Sequence, residues 1–227
     1  MKHPAKKRIC WLVLGLSLGQ LFMGLLRASA AYPNELSPLS KYATPGYVFV
    51  TVLFAVLLFR AGLPLNRFGF GARADRRQIL LAIAAIAVLR IFAHTLELWI
   101  ESLLGTTRDL QRFSGVEGSI PSLLALLFTN WTLAAFGEEF AFRIVLMRGL
   151  AFVFGDSRTG RLSALVLQSV MFGLVHAYQG PAGILGSAFS GLIFGAVTLA
   201  CRWSIWPAAI AHGTNNTIGI FALYHGG

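Results

Sequence analysis

The feature that most constrains this chain is a succession of apolar blocks separated by short, mostly basic links. Seven blocks are read as spans, with approximate bounds 9–26, 45–59, 79–100, 120–154, 162–177, 182–200 and 205–224. A spanning helix needs about 20 predominantly apolar residues. Inside lipid, helices satisfy every backbone polar group within the segment. The blocks also lack the polar alternation of a half-buried face. The expectation is an all-α, polytopic transmembrane helical bundle of about seven helices. Residues 1–119 would form a scaffold of about three helices and residues 120–227 a core of about four, within one integral membrane domain.

Charge supports this assignment. Only 12% of the 227 residues are charged, about half the share in soluble domains. The formal charge of +10 is carried by residues lying between the blocks. Arg60, Arg67, Arg73, Arg76 and Arg77 share one link with a single acid, Asp75, and Arg158 and Arg161 occupy another. This distribution follows the positive-inside rule and places the N-terminus in the cytoplasm and the protein in the cell (cytoplasmic) membrane. No aromatic-basic motif suggests nucleic acid. The first block follows Lys2, Lys6, Lys7 and Arg8 and precedes Arg27–Ala31, RASAA, which resembles a signal-peptide cleavage site. The block exceeds the ~7–15 residues of a signal core, so a retained anchor is expected. Cys10 and Cys201 lie far apart and are read as small apolar fillers. Gly15 and Gly19, and Gly183, Ser187, Gly191 and Gly195 at every fourth position, mark close helix packing.

Against this background the stretch FGEEFAFRIVLMRG, Phe136 to Gly149, stands out. An ionised side chain at the centre of a span costs about 2.5–3.5 kcal/mol on the insertion scale, so such residues are functional candidates by default. Glu139 and Arg143 are four apart on one helical face and can pair. Glu138 has no basic residue at that spacing and is expected to keep a free carboxylate facing the bundle interior. Later blocks place Phe172 and His176, then His212 and Asn216, at the same i, i+4 spacing. Glu138 beside a histidine suits a general base acting on water. His212 and Asn216 suit donors to a developing oxyanion. A second set, Arg90, His94 and Glu97, shares one face of the third block and is read as structural pairing. Its sharper alternative is a substrate contact, with Arg90 holding a carboxylate.

Taken in order, Glu138-Glu139-x-x-x-Arg143, Phe172-x-x-x-His176 and His212-x-x-x-Asn216 resemble the CPBP (Abi) family of intramembrane endopeptidases, which includes the type II CAAX prenyl proteases. The motif-bearing region, about Ile120 to Tyr224, covers nearly half of the chain. The resemblance implies a cavity within the bundle, with water activated by Glu138 and His176 and an oxyanion hole formed by His212 and Asn216. Glu139, Arg143 and Phe172 would support them. It also implies a protein or peptide substrate, membrane-anchored or cleaved near a C-terminal tail, with membrane lipid as surroundings. Zinc held by Glu138, His176 and His212 is chemically permissible. The metal-free glutamic mechanism is favoured, because no HExxH helix is present. A non-enzymatic transporter or immunity protein using the same groups as an ion path is the alternative, although the internal repeats of such transporters are not visible. If the spans were simple vertical rods, His176 and His212 would sit at different depths, so tilted or broken helices are expected.

Overall fold

The computed structural model describes residues 3–29, 37–63 and 75–226. Part of the Arg27–Ala31 stretch, together with Arg67 and Arg73 of the basic link, lies outside them. The rods are α1 (His3–Ala28), α2 (Ala43–Arg60), α3 (Arg76–His94), α4 (Leu96–Leu104), α5 (Ile120–Val153), α6 (Arg158–Leu174), α7 (Gly180–Ala200) and α8 (Trp206–Tyr224). Asp75 caps α3 by accepting from the Gln78 amide at 2.8 Å, and Ser157 caps α6 by accepting from Gly160. These side chains supply acceptors that a helix start otherwise lacks.

Among the described residues, five helices are long and apolar enough to cross a membrane, not seven: Lys6–Ala28, Leu39–Arg60, Arg76–Leu104, Ile120–Val153 and Ala177–Ala200. Of the two remaining rods, α6 has 17 residues and α8 carries His212 with the polar run Thr214 to Thr217. The protein is a multi-pass membrane protein. Its helices present Trp11, Leu18, Phe49, Ile91, Trp99 and Leu103 outward, as a lipid-facing surface should.

The third block is broken where one continuous rod was expected. Thr95 leaves the helical region (φ −130, ψ −80) and divides α3 from α4, while its hydroxyl donates to the Ile91 carbonyl at 2.7 Å. Arg90 and His94 therefore lie on one helix and Glu97 on the next.

One core ties the N-terminal helices to the rest. Ile9, Val13 and Leu16 of α1 and Leu58 of α2 cluster with Phe142, Leu146 and Phe172. The small residues work as close-approach points. A side chain at Gly24 would come within 2.7 Å of the Val175 backbone, fixing α1 against the end of α6. One at Gly191 would meet Phe172 at 3.1 Å, fixing α7 against α6. In lipid such approach replaces the hydrophobic drive. Cys10 and Cys201 are unbonded.

Candidate active site

The acidic doublet lies inside α5 where the helix widens into π geometry, over Asn130–Glu138 and again over Phe140–Met147. Such π stretches are rare and recur at functional sites. Asn130 anchors the first of them to α8, donating to the Gly213 carbonyl at 3.0 Å and to the Thr217 hydroxyl at 3.2 Å. This bond fixes how far α5 slides along α8, and hence which residues face one another.

The two glutamates then take different partners. Glu139 is fully buried and lies between two groups: its Oε2 is 3.0 Å from Nε of Arg143, and its Oε1 is 2.8 Å from Nδ1 of His212. Glu138 points toward His176, with Oε2 at 3.8 Å from Nε2. The Glu138 and His176 side chains keep 15% and 11% of their surface, whereas Glu139 and Arg143 keep none. Water can therefore reach the first pair and not the second.

Arg143 is enclosed by aromatic rings, with its guanidinium 4.6 Å from the Phe172 centroid and 5.5 Å from that of Phe194. It also donates weakly to the Gly191 carbonyl at 3.4 Å. A buried cation needs both a counter-ion and donors satisfied. Glu139 supplies the counter-ion and Gly191 accepts from one donor, while Nη1 is buried without a hydrogen-bond partner; the rings add cation–π attraction.

The imidazoles are oriented from behind. His176 lies just past α6, and its Nδ1 is 2.7 Å from the Phe172 carbonyl, which can only accept, so Nδ1 carries the proton. Its Nε2 is thus left facing Glu138. The His212 Nδ1 proton is directed in the same way to the Glu139 carboxylate. Phe172 seats both rings, at 4.7 Å from His176 and 6.1 Å from His212, and Phe194 stacks on His212 at 4.7 Å. Asn216, one turn beyond His212 on α8, is half-buried.

His212 reaches the end of α6, its ring 6.1 Å from that of Phe172, and the α7–α8 connection is packed. Cys201, Trp203, Ser204 and Ile205 are buried and only Arg202 of that link is exposed. Helix α8 consequently starts from a packed link, and its second turn meets the far end of α6.

The second polar set does not join this group. His94 is exposed, and Glu97 pairs instead with Arg108 at 3.1 Å. The buried side of α3 packs through Ala82, Ala85 and Leu89 against α7 and α8. Among the described residues, no three His, Cys, Asp or Glu side chains gather as a metal site. Sequence reasoning passed over Asn130, Phe194 and Gln168, whose amide donates to the Gly191 carbonyl at 3.0 Å. Asn130 and Gln168 are polar residues in apolar helices, a signal that was available. Phe194 carried none.

Residues 120–218 match the family model described as type II CAAX prenyl endopeptidase Rce1-like. The match bears out the resemblance read from the motifs, and it includes Glu138, Glu139, Arg143, Phe172, His176, His212 and Asn216. Arg90 and His94 fall outside it. No curated protein and no solved structure matches the chain.

Proposed function

On the premise of this likeness, we propose that the protein is an intramembrane endopeptidase in which Glu138 and His176 activate a water molecule against a peptide carbonyl. The observation that carries the reading is the 3.8 Å separation of Glu138 Oε2 from His176 Nε2. This gap is too long for a direct hydrogen bond, but one water about 2.8 Å from each atom would span it. Both atoms accept when Glu138 is ionised and His176 neutral, so that water donates both protons and turns its lone pairs outward, toward a carbonyl carbon.

The chemistry follows from these roles. The water oxygen bonds to the carbonyl carbon as its proton passes to Glu138, and the carbonyl oxygen becomes an oxyanion. His212 and Asn216 donate to that oxygen, one such donor being worth roughly 2.7–4 kcal/mol in the transition state. With Nδ1–H directed to Glu139, His212 donates from Nε2 only as an imidazolium. The C–N bond then breaks, and Glu138 returns the proton to the leaving amine. This reading needs no metal, and the substrate is a protein or peptide presented at the membrane. The location is the cytoplasmic membrane with the N-terminus inside, because the Lys6, Arg60, Arg76 and Arg161 ends of the helices form the more basic side.

Comparative mapping of membrane-protein termini in cells expressing wild type or Glu138→Gln tests the function. A new terminus that requires Glu138 is expected. An unchanged set of termini would favour ion passage or ligand binding over proteolysis.

A further inference from the structure

Tyr178 follows His176 by two residues, on the short turn Ala177–Gln179 that closes the end of α6, and the two rings are 5.7 Å apart. Arg27, in the last turn of α1, holds its guanidinium carbon 4.5 Å from the Tyr178 centroid. Arg112, from the link between α4 and α5, does the same at 4.6 Å. Gln179 steadies the ring by donating to its hydroxyl at 3.1 Å while accepting from Arg108 at 2.8 Å.

The three arginines are not equivalent. Arg108 is satisfied by Glu97 and Ser187 as well as Gln179. Among the described residues, neither Arg27 nor Arg112 forms an ion pair, and Arg27 Nε is buried without a hydrogen-bond partner. Both lie against the same ring, and their like charges repel. The acid whose field reaches both is Glu138, the group the proposed reaction needs free. A guanidinium fork matches a carboxylate in shape and charge.

We infer that Arg27 and Arg112, stacked on Tyr178, bind a carboxylate of the substrate beside His176. This rests on reading Glu138 and His176 as the reacting centre. The carboxylate is then close to the cleaved bond, not in a remote tail. Neither arginine lies within the region that matches the family, so this contact is a contribution of the N-terminal half.

The test measures binding without cleavage. The full chain carrying Glu138→Gln, in phosphatidylcholine nanodiscs, is titrated into an N-terminally coumarin-labelled apolar hexapeptide with a free C-terminal carboxylate, and into the same peptide as its amide. Fluorescence anisotropy should show the acid bound about tenfold more tightly, the scale of one charge-assisted hydrogen bond. Arg27→Gln with Arg112→Gln should bring the two peptides within twofold, and Arg202→Gln, on the opposite side, should leave the preference intact. Arg112 is exposed on its link, so Arg112→Gln alone should lose much of the preference without disturbing the bundle. Equal affinities in the parent, a preference surviving the double substitution, or no binding of either peptide would overturn the inference. Repeating the titration with phosphatidylglycerol present identifies a lipid headgroup as the true occupant: the double substitution would then alter lipid retention and leave the acid–amide ratio unchanged, which also overturns it. An acid preference in a chain whose wild type cleaves nothing contradicts the proposed function alone, and cleavage without the preference contradicts this site alone.

Discussion

The Nδ1 of His212 lies 2.8 Å from Glu139 Oε1, while Oε2 of the same carboxylate faces Nε of Arg143 at 3.0 Å. One acid thus joins a cation on its own helix to an imidazole on α8, with no exposure to water. The neighbouring acid, Glu138, is partly exposed and faces a different imidazole. Adjacent identical residues are therefore expected to fail in different ways when changed.

Glu139→Gln removes the counter-charge from a fully buried guanidinium. The expected loss of stability is about 3–5 kcal/mol, the usual result of stranding one member of a buried pair. Glu138→Gln strands no cation and should cost under about 1 kcal/mol. Thermal unfolding of both variants in detergent checks this, and equal melting temperatures would contradict the division of roles.

Gly191→Ala places a methyl group 3.1 Å from Cβ of Phe172 and 3.2 Å from its ring. The ring that seats both imidazoles must then shift by a few tenths of an ångström. Overpacking should cost roughly 1–3 kcal/mol, and misaligned groups should slow cleavage by about tenfold. Gly219 has nothing within 4 Å of such a methyl, so Gly219→Ala serves as the neutral comparison for both stability and rate.

Asp156 turns the chain between α5 and α6 at φ 53 and is met by Arg148 at 2.7 Å and Arg161 at 2.8 Å. Burial alone would raise its carboxyl pKa, but the hydrogen bonds from Arg148 and Arg161 outweigh burial and hold it below the ordinary value. A depressed acid contributes stability above its unfolded pKa and loses it as pH falls through the folded one. Asp156→Asn keeps a residue that tolerates positive φ and should lower stability by about 1 kcal/mol at pH 7. The difference from wild type should vanish below the folded-state value. A deficit that persists unchanged at pH 2 would contradict this account.

If Glu138 and His176 activate water unaided, a chelator should leave cleavage within twofold. Loss of activity on dialysis against EDTA, restored by zinc, would contradict the metal-free reading.

The polar spacings within single helices were legible because i, i+4 neighbours share a face wherever the helix lies. The Glu139–Arg143 pair and the Phe172–His176 contact are of this kind. Partners across helices were not, since lipid and neighbouring helices are equally apolar and no amphipathic stripe shows which face turns inward. Pairing Glu139 with His212 depends on the π stretches and on the Asn130–Gly213 bond, neither of which has a periodic signature. Phe194, stacked on His212, is one of 18 phenylalanines and nothing in its spacing separates it from those facing lipid. The break at Thr95 was equally hidden, because no Pro or Gly lies near it to mark a helix end. Helix α8 starts from the packed Cys201–Ile205 link, which composition alone reads as the rim of a span.

The central claim is tested most directly by the cleavage rate of purified wild type and Glu138→Gln in liposomes, using the substrate found by terminus mapping. Glu138→Gln is expected to be slower by 10²-fold or more, roughly the contribution of a positioned general base, with its melting temperature preserved. Cleavage by a folded Glu138→Gln protein at a rate near that of wild type would contradict the account.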